Sequence, residues 1–266
     1  MRQLAYLASH PLRHRVCAAT VKESGFANGA QTSLRYLGDY AALSLNTEQR
    51  RQAMMAHYDR LSNLLSPAAL TAVGTGVLLW RREVEDAPPL SLYLEPAKFA
   101  PMEGELQLRF SFRSDLFFLT FLLAPGNLFE SSCETVLFIG GVQGKFFARD
   151  EMREASRLNG EISPAAMLIM AIQAIAKAMN VGELIGVGEA LYDYEPLWTE
   201  AGGVRRGRHY SLPLESVHKP LPEVATHRSR TRRKREAKAA IRAAIETRLT
   251  ELFGLPSEKA SAPVHA

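Results

Sequence analysis

The sequence predicts an α+β domain with a largely antiparallel central sheet, on three observations. Five short runs rich in β-branched and aromatic residues follow one another between Gly76 and Gln143, separated by Pro, Gly, Asp and Asn. Helix-period segments precede and follow them, so strands and helices are grouped rather than strictly alternating. Apolar residues make up 47% of the 266-residue chain, ample for a buried core and incompatible with a disordered protein.

Residues 1–33 read as a helical N-terminal extension, and residues 34–222 as the core domain. The clearest early helix is "NTEQRRQAMMAHYDRLSNLL", where Asn46 or Thr47 caps the start and Met54, His57 or Tyr58, Leu61 and Leu65 recur at helical spacing. Pro67 opens a short helix after it. The period then changes to two. "GVLLWRREV", "LSLYLEP", "GELQLRFSFR", "DLFFLTFLLA" and "ETVLFIGGVQ" read as strands, and in the third Leu106, Leu108, Phe110 and Phe112 alternate with Gln107, Arg109 and Ser111. That alternation predicts one buried face and one wet face.

Helical patterns return in "ARDEMREASRLN" and in "SPAAMLIMAIQAIAKAM", with Ser163 as N-cap, Pro164 at the first helical position and Gly182 marking the end. The second is apolar almost all round, which predicts burial against the sheet. "ELIGVG" reads as a short strand, and "YDYEPLWTEAGGVRRGRHYSLPL" as a loop followed by a strand around Tyr210 and Leu212. The chain changes character at Pro220 and Pro222. Residues 223–254 predict a basic amphipathic helix with Ile241, Ile245, Leu249 and Leu252 on one stripe, and residues 255–266 a frayed tail.

Charge and cysteine content narrow the classes. Net charge is +4 and the pI is near 9.1, which suits an anionic partner such as nucleic acid, a membrane surface or an acyl carrier. Two cysteines, Cys17 and Cys133, argue against a disulfide scaffold and a cysteine-based zinc site, and for a reducing cytoplasm. The N-terminal stretch is interrupted by His10, Pro11, Arg13, His14 and Arg15, which disfavours a signal peptide. The most apolar windows, 116–124 and 165–176, fall short of the roughly 20 residues of a membrane-spanning helix.

The stretch "TVLFIGGVQGKFF" resembles a phosphate cradle at first. A P-loop needs glycine where Ile139 stands and a hydroxyl where Phe146 stands, and Gly140, Gly141 and Gly144 do not give the dinucleotide spacing either. A strand end or bulge relieved by glycine, with Gln143 bonding nearby backbone, fits these residues. They remain ligand-contact candidates. A second glycine lies in "RLNGEIS", where Arg157, Gly160 and the Ser163–Pro164 helix start resemble the pyrophosphate loop of the GNAT acyltransferases, Arg/Gln-x-x-Gly-x-Gly/Ala before a buried helix. Amides at such a helix start hold phosphates, here those of an acyl-CoA or acyl-carrier donor. Ile162 in place of a small residue, and "ARDEMREAS" between strand and loop, depart from that pattern.

For acid–base chemistry the candidates are His57, Glu103, Glu105 and His209, with His57 or Glu105 as the catalytic base that deprotonates an acceptor. A hydrogen-bonded core histidine and a solvated turn are the bland alternatives. No histidine pair has convincing metal spacing, so no metal is expected. The cluster Arg228, Arg230, Arg232, Arg233, Lys234 and Arg235 is a candidate grip for an anionic partner, membrane surface or nucleic acid, without sequence reading. A solvated helix end explains the same charges.

Taken in order, "HY" at 57–58, "GEL" at 104–106, "IGGVQG" at 139–144, "LNGEISP" at 158–164, "LW" and "GG" within 197–203, "HYSLP" at 209–213 and "HRSRTRRKR" at 227–235 resemble the VirK/YbjX family of bacterial proteins. The resemblance covers roughly residues 34 to 250. It implies a cytoplasmic bacterial factor, at most peripheral at the inner membrane, linked to virulence, envelope integrity and stress, the DNA-damage response included. It brings no established mechanism or cofactor, hence no family catalytic residues to carry over. His209, standing before the tyrosine of "YSLP" where an aromatic pair is expected, departs from the family pattern.

Overall fold

The five strand runs pair with one another in chain order. In a computed structural model that describes residues 2–24, 32–189, 193–215 and 225–254, β1 (Val77–Val84), β2 (Ala87–Pro96), β3 (Leu106–Phe112), β4 (Ser114–Pro125) and β5 (Thr135–Gly144) form an antiparallel meander. β6 (Glu183–Gly186) then lies parallel to β5, and β7 (Val204–Arg206) and β8 (His209–Leu212) complete an eight-stranded sheet in the order β1-β2-β3-β4-β5-β6-β8-β7. The boundary at Pro220–Pro222 and the tail 255–266 lie outside the described residues.

Helices cover the sheet. α1 (Arg2–Ser9), α2 (Pro11–Glu23), a 3-10 turn at Thr32–Leu37, α3 (Thr47–Leu64) and α4 (Pro67–Thr75) precede it, and α3 packs on β4 while α4 packs on β2. A parallel neighbour needs a crossover, supplied here by α5 (Arg149–Leu158) and α6 (Pro164–Ala178). α6 packs on β3, β4 and β6. Phe118 to Ala124 in β4 and Val136 to Val142 in β5 are buried without interruption, which requires cover on both faces of the sheet. After α7 (Glu195–Glu200), α8 (Ala225–Phe253) lies on α6 and β1, and its Ile241, Ile245 and Leu249 join the same core as the sheet.

Local signals account for most boundaries. Asn46 caps α3 in a reciprocal capping box with Gln49, and Ser66 caps α4 just before Pro67. Ser163 accepts from the amide of Ala166 and caps α6. Three expectations need correction. α6 stops at Ala178, ahead of Gly182, because Asn180 takes the left-handed position (φ 50°) and the amide of Val181 closes back on the carbonyl of Ala176. Residues 195–200, read as loop, form α7, with Pro196 in its first turn and Trp198 fully buried. The second face of β3 is not wet throughout: Gln107 is buried, donating to Glu95 and accepting from the amides of Lys98 and Phe99.

Candidate functional site

β5 and β6 are parallel for only four residue pairs, from Val136–Glu183 to Ile139–Gly186, with one further bond from the amide of Val187 to the carbonyl of Ile139. Beyond that point β5 runs on to Gly144 beside β4, whereas Gly188 packs against the backbone of Arg208 next to β8. The two strands part. At the parting β5 carries a bulge: Thr120 pairs with Gly141 but Phe121 pairs with Ile139, so Gly140 is the extra residue.

The glycines of the bulge have a specific occupant. A Cβ on Gly140 would meet the backbone carbonyl of Glu103, and a Cβ on Gly141 would meet the Glu103 carboxylate. Glu103 therefore lies flat across the bulge, and only glycine leaves room for it. Gln143, on the same strand, donates from Nε2 to Glu103 Oε1 at 2.8 Å. Glu103 Oε2 is buried and has no hydrogen-bond partner. Burial pushes the Glu103 carboxyl up to about 7, against the smaller opposing pull of Gln143. Beside it a cleft of 220 Å³ is lined by Val142, Gln143, Gly144, Phe146 and Tyr194.

α7 links this cleft to a second cavity. Tyr194 precedes α7, while Leu197, Glu200 and Ala201 face a cavity of 110 Å³ that is also lined by Ser163, Ala166 and Gln173 of the α6 region and by Lys238 of α8. Trp198 holds α7 on the end of β6: its Nε1 donates to the carbonyl of Val187 at 2.8 Å, and its ring covers Gly186. Burial lowers the pKa of Lys238, with Lys234 adding to the effect and Glu200 opposing it.

The sequence-derived residues fall into separate places. Gly140, Gly141, Gln143 and Gly144 are at the parting. Ser163 caps α6 at the cavity. Gly160 holds φ 67° with open space around its Cα, and Arg157 is exposed at the end of α5, outside the cavity lining.

His57 and Glu105 are sealed in the core. His57 Nδ1 accepts from the amide of Leu123 at 3.1 Å, just past the last β3–β4 pair at Leu106–Phe121, so the ring satisfies an amide that β3 no longer reaches. Burial pulls His57 down to about 3, and its Nε2 has no partner. Glu105 accepts from Arg35 Nη1 at 3.0 Å and from the Tyr58 hydroxyl at 2.6 Å; burial raises its pKa and Arg35 opposes that rise. His209 is also buried, its ring edge-on to Phe129 and Phe138.

In the basic cluster Arg230, Arg232 and Arg233 are exposed, Arg230 pairing with Glu161 at 3.3 Å, while Lys234 and Arg235 are half-buried. The Arg228 side chain lies outside the described residues. Among the described residues there is no group of three or more His, Cys, Asp or Glu side chains arranged to hold a metal ion, and no helix is long and apolar enough to cross a membrane.

Lys238 and Tyr194 carry no sequence motif and emerge only from the packing. Glu103 did have a signal: a Gly-Gly pair inside an otherwise apolar strand marks a place where another group comes close.

Fold and site together define a mixed α+β domain whose distinctive feature is a half-buried glutamate at the point where its parallel strands part. The family model for proteins of unknown function designated DUF535 matches residues 11–245, and the chain belongs to that family. It is similar to the uncharacterized protein YbjX of Escherichia coli strain K12, 26% identical over 232 residues, covering 78% of this chain and 69% of that one. The VirK/YbjX resemblance is thereby upheld. No solved structure matches the chain.

Proposed function

We propose that the protein is an acyltransferase that takes an acyl group from a thioester donor, an acyl-CoA or an acylated carrier, and passes it to a nucleophile deprotonated by Glu103. The observation that carries this reading is the parting of β5 from β6 at the bulge over which Glu103 lies. It is supported by likeness to the GNAT acyltransferases, in which a meander of strands is followed by a helix and then by a strand that splays to admit the acyl arm. On this reading β1 to β5 stand for the meander, α6 for the helix and β6, which pairs with β5 over four residues, for the splaying strand.

The donor phosphates belong at the start of α6, where Ser163 borders the cavity and Lys238 supplies a cation. The loop differs from the GNAT pattern in that Ile162 is fully buried and α5 stands between β5 and the loop. In the reaction the acceptor N–H or O–H proton passes to Glu103. The nucleophile attacks the thioester carbonyl, the C–S bond breaks and the thiolate leaves. A carboxylate poised near neutrality suits the first step, because a base works best when its pKa lies near the working pH.

Thermal unfolding with acetyl-CoA, longer acyl-CoA and acylated carrier tests this directly. A donor present at 100 times its Kd raises stability by about 2.7 kcal/mol. Glu103→Gln is expected to leave that shift intact and to lower transfer by about 10²-fold or more. If none of these donors shifts the transition, the acyltransferase reading is withdrawn.

A second reading has one observation in its favour, the exposure of Arg230, Arg232 and Arg233 at the N-terminal end of α8. There the protein engages an anionic partner, a membrane surface or nucleic acid. Deleting α8 is a poor test, since Ile241, Ile245 and Leu249 belong to the core. Replacing the three arginines by serine and measuring binding across a salt series is cleaner, and unchanged, salt-insensitive binding counts against it. A cytoplasmic setting and an association with virulence, envelope integrity and stress, including DNA damage, are part of the same proposal, carried by the family resemblance alone.

A further inference from the structure

The tip between β5 and α5 carries two aromatic rings that folding does not account for. Phe147 is fully exposed and holds φ 60°, a left-handed conformation that bulky residues rarely adopt. It is strained and buries nothing, so neither backbone nor packing explains an aromatic there. Phe146 is 76% exposed and lines the cleft. A third ring, Phe99, is 64% exposed and stacks at 4.0 Å on Phe118, whose cross-strand partner is Gln143. Phe146 thus lines the cleft, Phe147 follows it in the chain, and Phe99 stacks on the strand neighbour of Gln143, which lines the cleft and bonds Glu103.

Two cations stand beside the rings. Lys145 and Arg149 flank the two rings in sequence and form no ion pair among the described residues, Lys145 donating to the Ser114 hydroxyl at 3.0 Å. Of the acidic groups of α5, Glu154 pairs with Arg113 at 2.9 Å and Asp150 with Arg153 at 3.6 Å, while Glu151 accepts from the hydroxyl of Ser114 at 2.8 Å. Exposed aromatic rings beside cations that no carboxylate pairs match the boundary between headgroups and acyl chains of an anionic bilayer. A protein partner is the weaker fit, because the polar Gln143 and Lys145 divide the rings instead of leaving a continuous apolar patch.

We propose that Phe146, Phe147 and Phe99 seat the mouth of the cleft on an anionic lipid surface, and that the nucleophile presented to Glu103 is carried by that surface. The second half rests on the acyl-transfer reading; the first does not.

Co-sedimentation of the full chain with phosphatidylcholine vesicles, with and without phosphatidylglycerol, separates the outcomes. The chain is expected to bind the anionic vesicles, and a variant carrying Phe99→Ser and Phe147→Gly to bind them about tenfold more weakly. Glycine suits φ 60°, so that variant is expected to keep its thermal transition, which is checked on the same samples. An Arg232→Glu, Arg233→Glu variant is expected to bind as the unmodified chain does. Equal binding to neutral vesicles, equal binding by the aromatic variant, or loss confined to the arginine variant overturns the proposal. So does concentration-dependent self-association that the aromatic variant abolishes while no vesicle is bound. Thermal stabilisation by acyl-CoA is read separately: its absence in the unmodified chain overturns the acceptor half and leaves the docking half to the vesicle result.

Discussion

Glu103 and Glu105 are two residues apart and lie in opposite surroundings. Glu105 continues the ladder of β3, its amide donating to Phe121 and its carbonyl accepting from Ala97, and its carboxylate is held by Arg35 and Tyr58. Glu103 leaves that ladder. Gly104 has no side chain to clash with the backbone of Phe121, so the chain turns there and lays Glu103 over Gly140 and Gly141. Glu105 gains a cation and a hydroxyl, both on Oε2, and Glu103 gains one neutral amide; each keeps one buried oxygen without a hydrogen-bond partner. Both lose water. The difference is the partner set, and it separates a carboxylate that fastens the 3-10 turn and α3 to the sheet from one held near neutrality at a cleft.

Removing either carboxylate has its own expected cost, and the larger falls at Glu105. Glu105→Ala leaves Arg35 without its buried counter-charge and is expected to cost about 3–5 kcal/mol in urea unfolding. If it costs no more than a surface substitution does, Glu105 is not the fastening it is taken to be.

Next come the two glycines under Glu103, which differ in what a new methyl group would strike. Gly140→Ala meets backbone, which cannot yield, whereas Gly141→Ala meets the end of a side chain, which can swing away. Gly140→Ala is expected to be the more damaging. Gly141→Ala is expected to cost about 1–3 kcal/mol, and most of that loss is expected to disappear when Glu103→Ala is added, as a double-mutant cycle would reveal. Additive costs for Gly141→Ala and Glu103→Ala would mean that the carboxylate does not occupy the bulge.

Much of the scaffold was legible in the sequence because its signals are local. Alternating runs located β1 to β5, and Asn46, Ser66–Pro67 and Ser163–Pro164 located the starts of three helices. Ile241, Ile245 and Leu249 marked the buried stripe of α8. The site was only half legible. Its glycines and Gln143 were visible as a break in an apolar strand, but what approaches them arrives from 40 residues earlier in the chain, and no spacing rule reports such a crossing. His57 and Glu105 are acid–base residue types, one beside Tyr58 on a helix and the other at a strand start. That pattern also describes a group buried to satisfy the fold, as His57 does for the amide of Leu123. Lys238 carries no local signal within the basic helix, because its surroundings come from α6 and α7, which enclose part of it.

The smallest expected effect tests both electrostatic environments at once. Glu103 titrates near 7 in the folded chain, above the ordinary carboxyl value of 4.5, so the native state holds its proton more tightly than the unfolded state. The stability this contributes is complete below about pH 4.5 and is lost as pH rises towards about 7. His57 runs the other way. Its ring stays neutral in the native state down to about pH 3, against 6.5 ordinarily, so the stability it contributes is present above about pH 6.5 and is lost as pH falls towards 3. Between pH 4.5 and 6.5 the two slopes oppose each other. Glu103→Gln removes the first and leaves the second, so unfolding midpoints of that variant are expected to climb more steeply with pH across this window than those of the unmodified chain. Solvent reaches part of Glu103, which keeps the change in slope modest. Parallel pH profiles for the two chains would place Glu103 among ordinary surface carboxylates and remove the electrostatic argument for its role as a base.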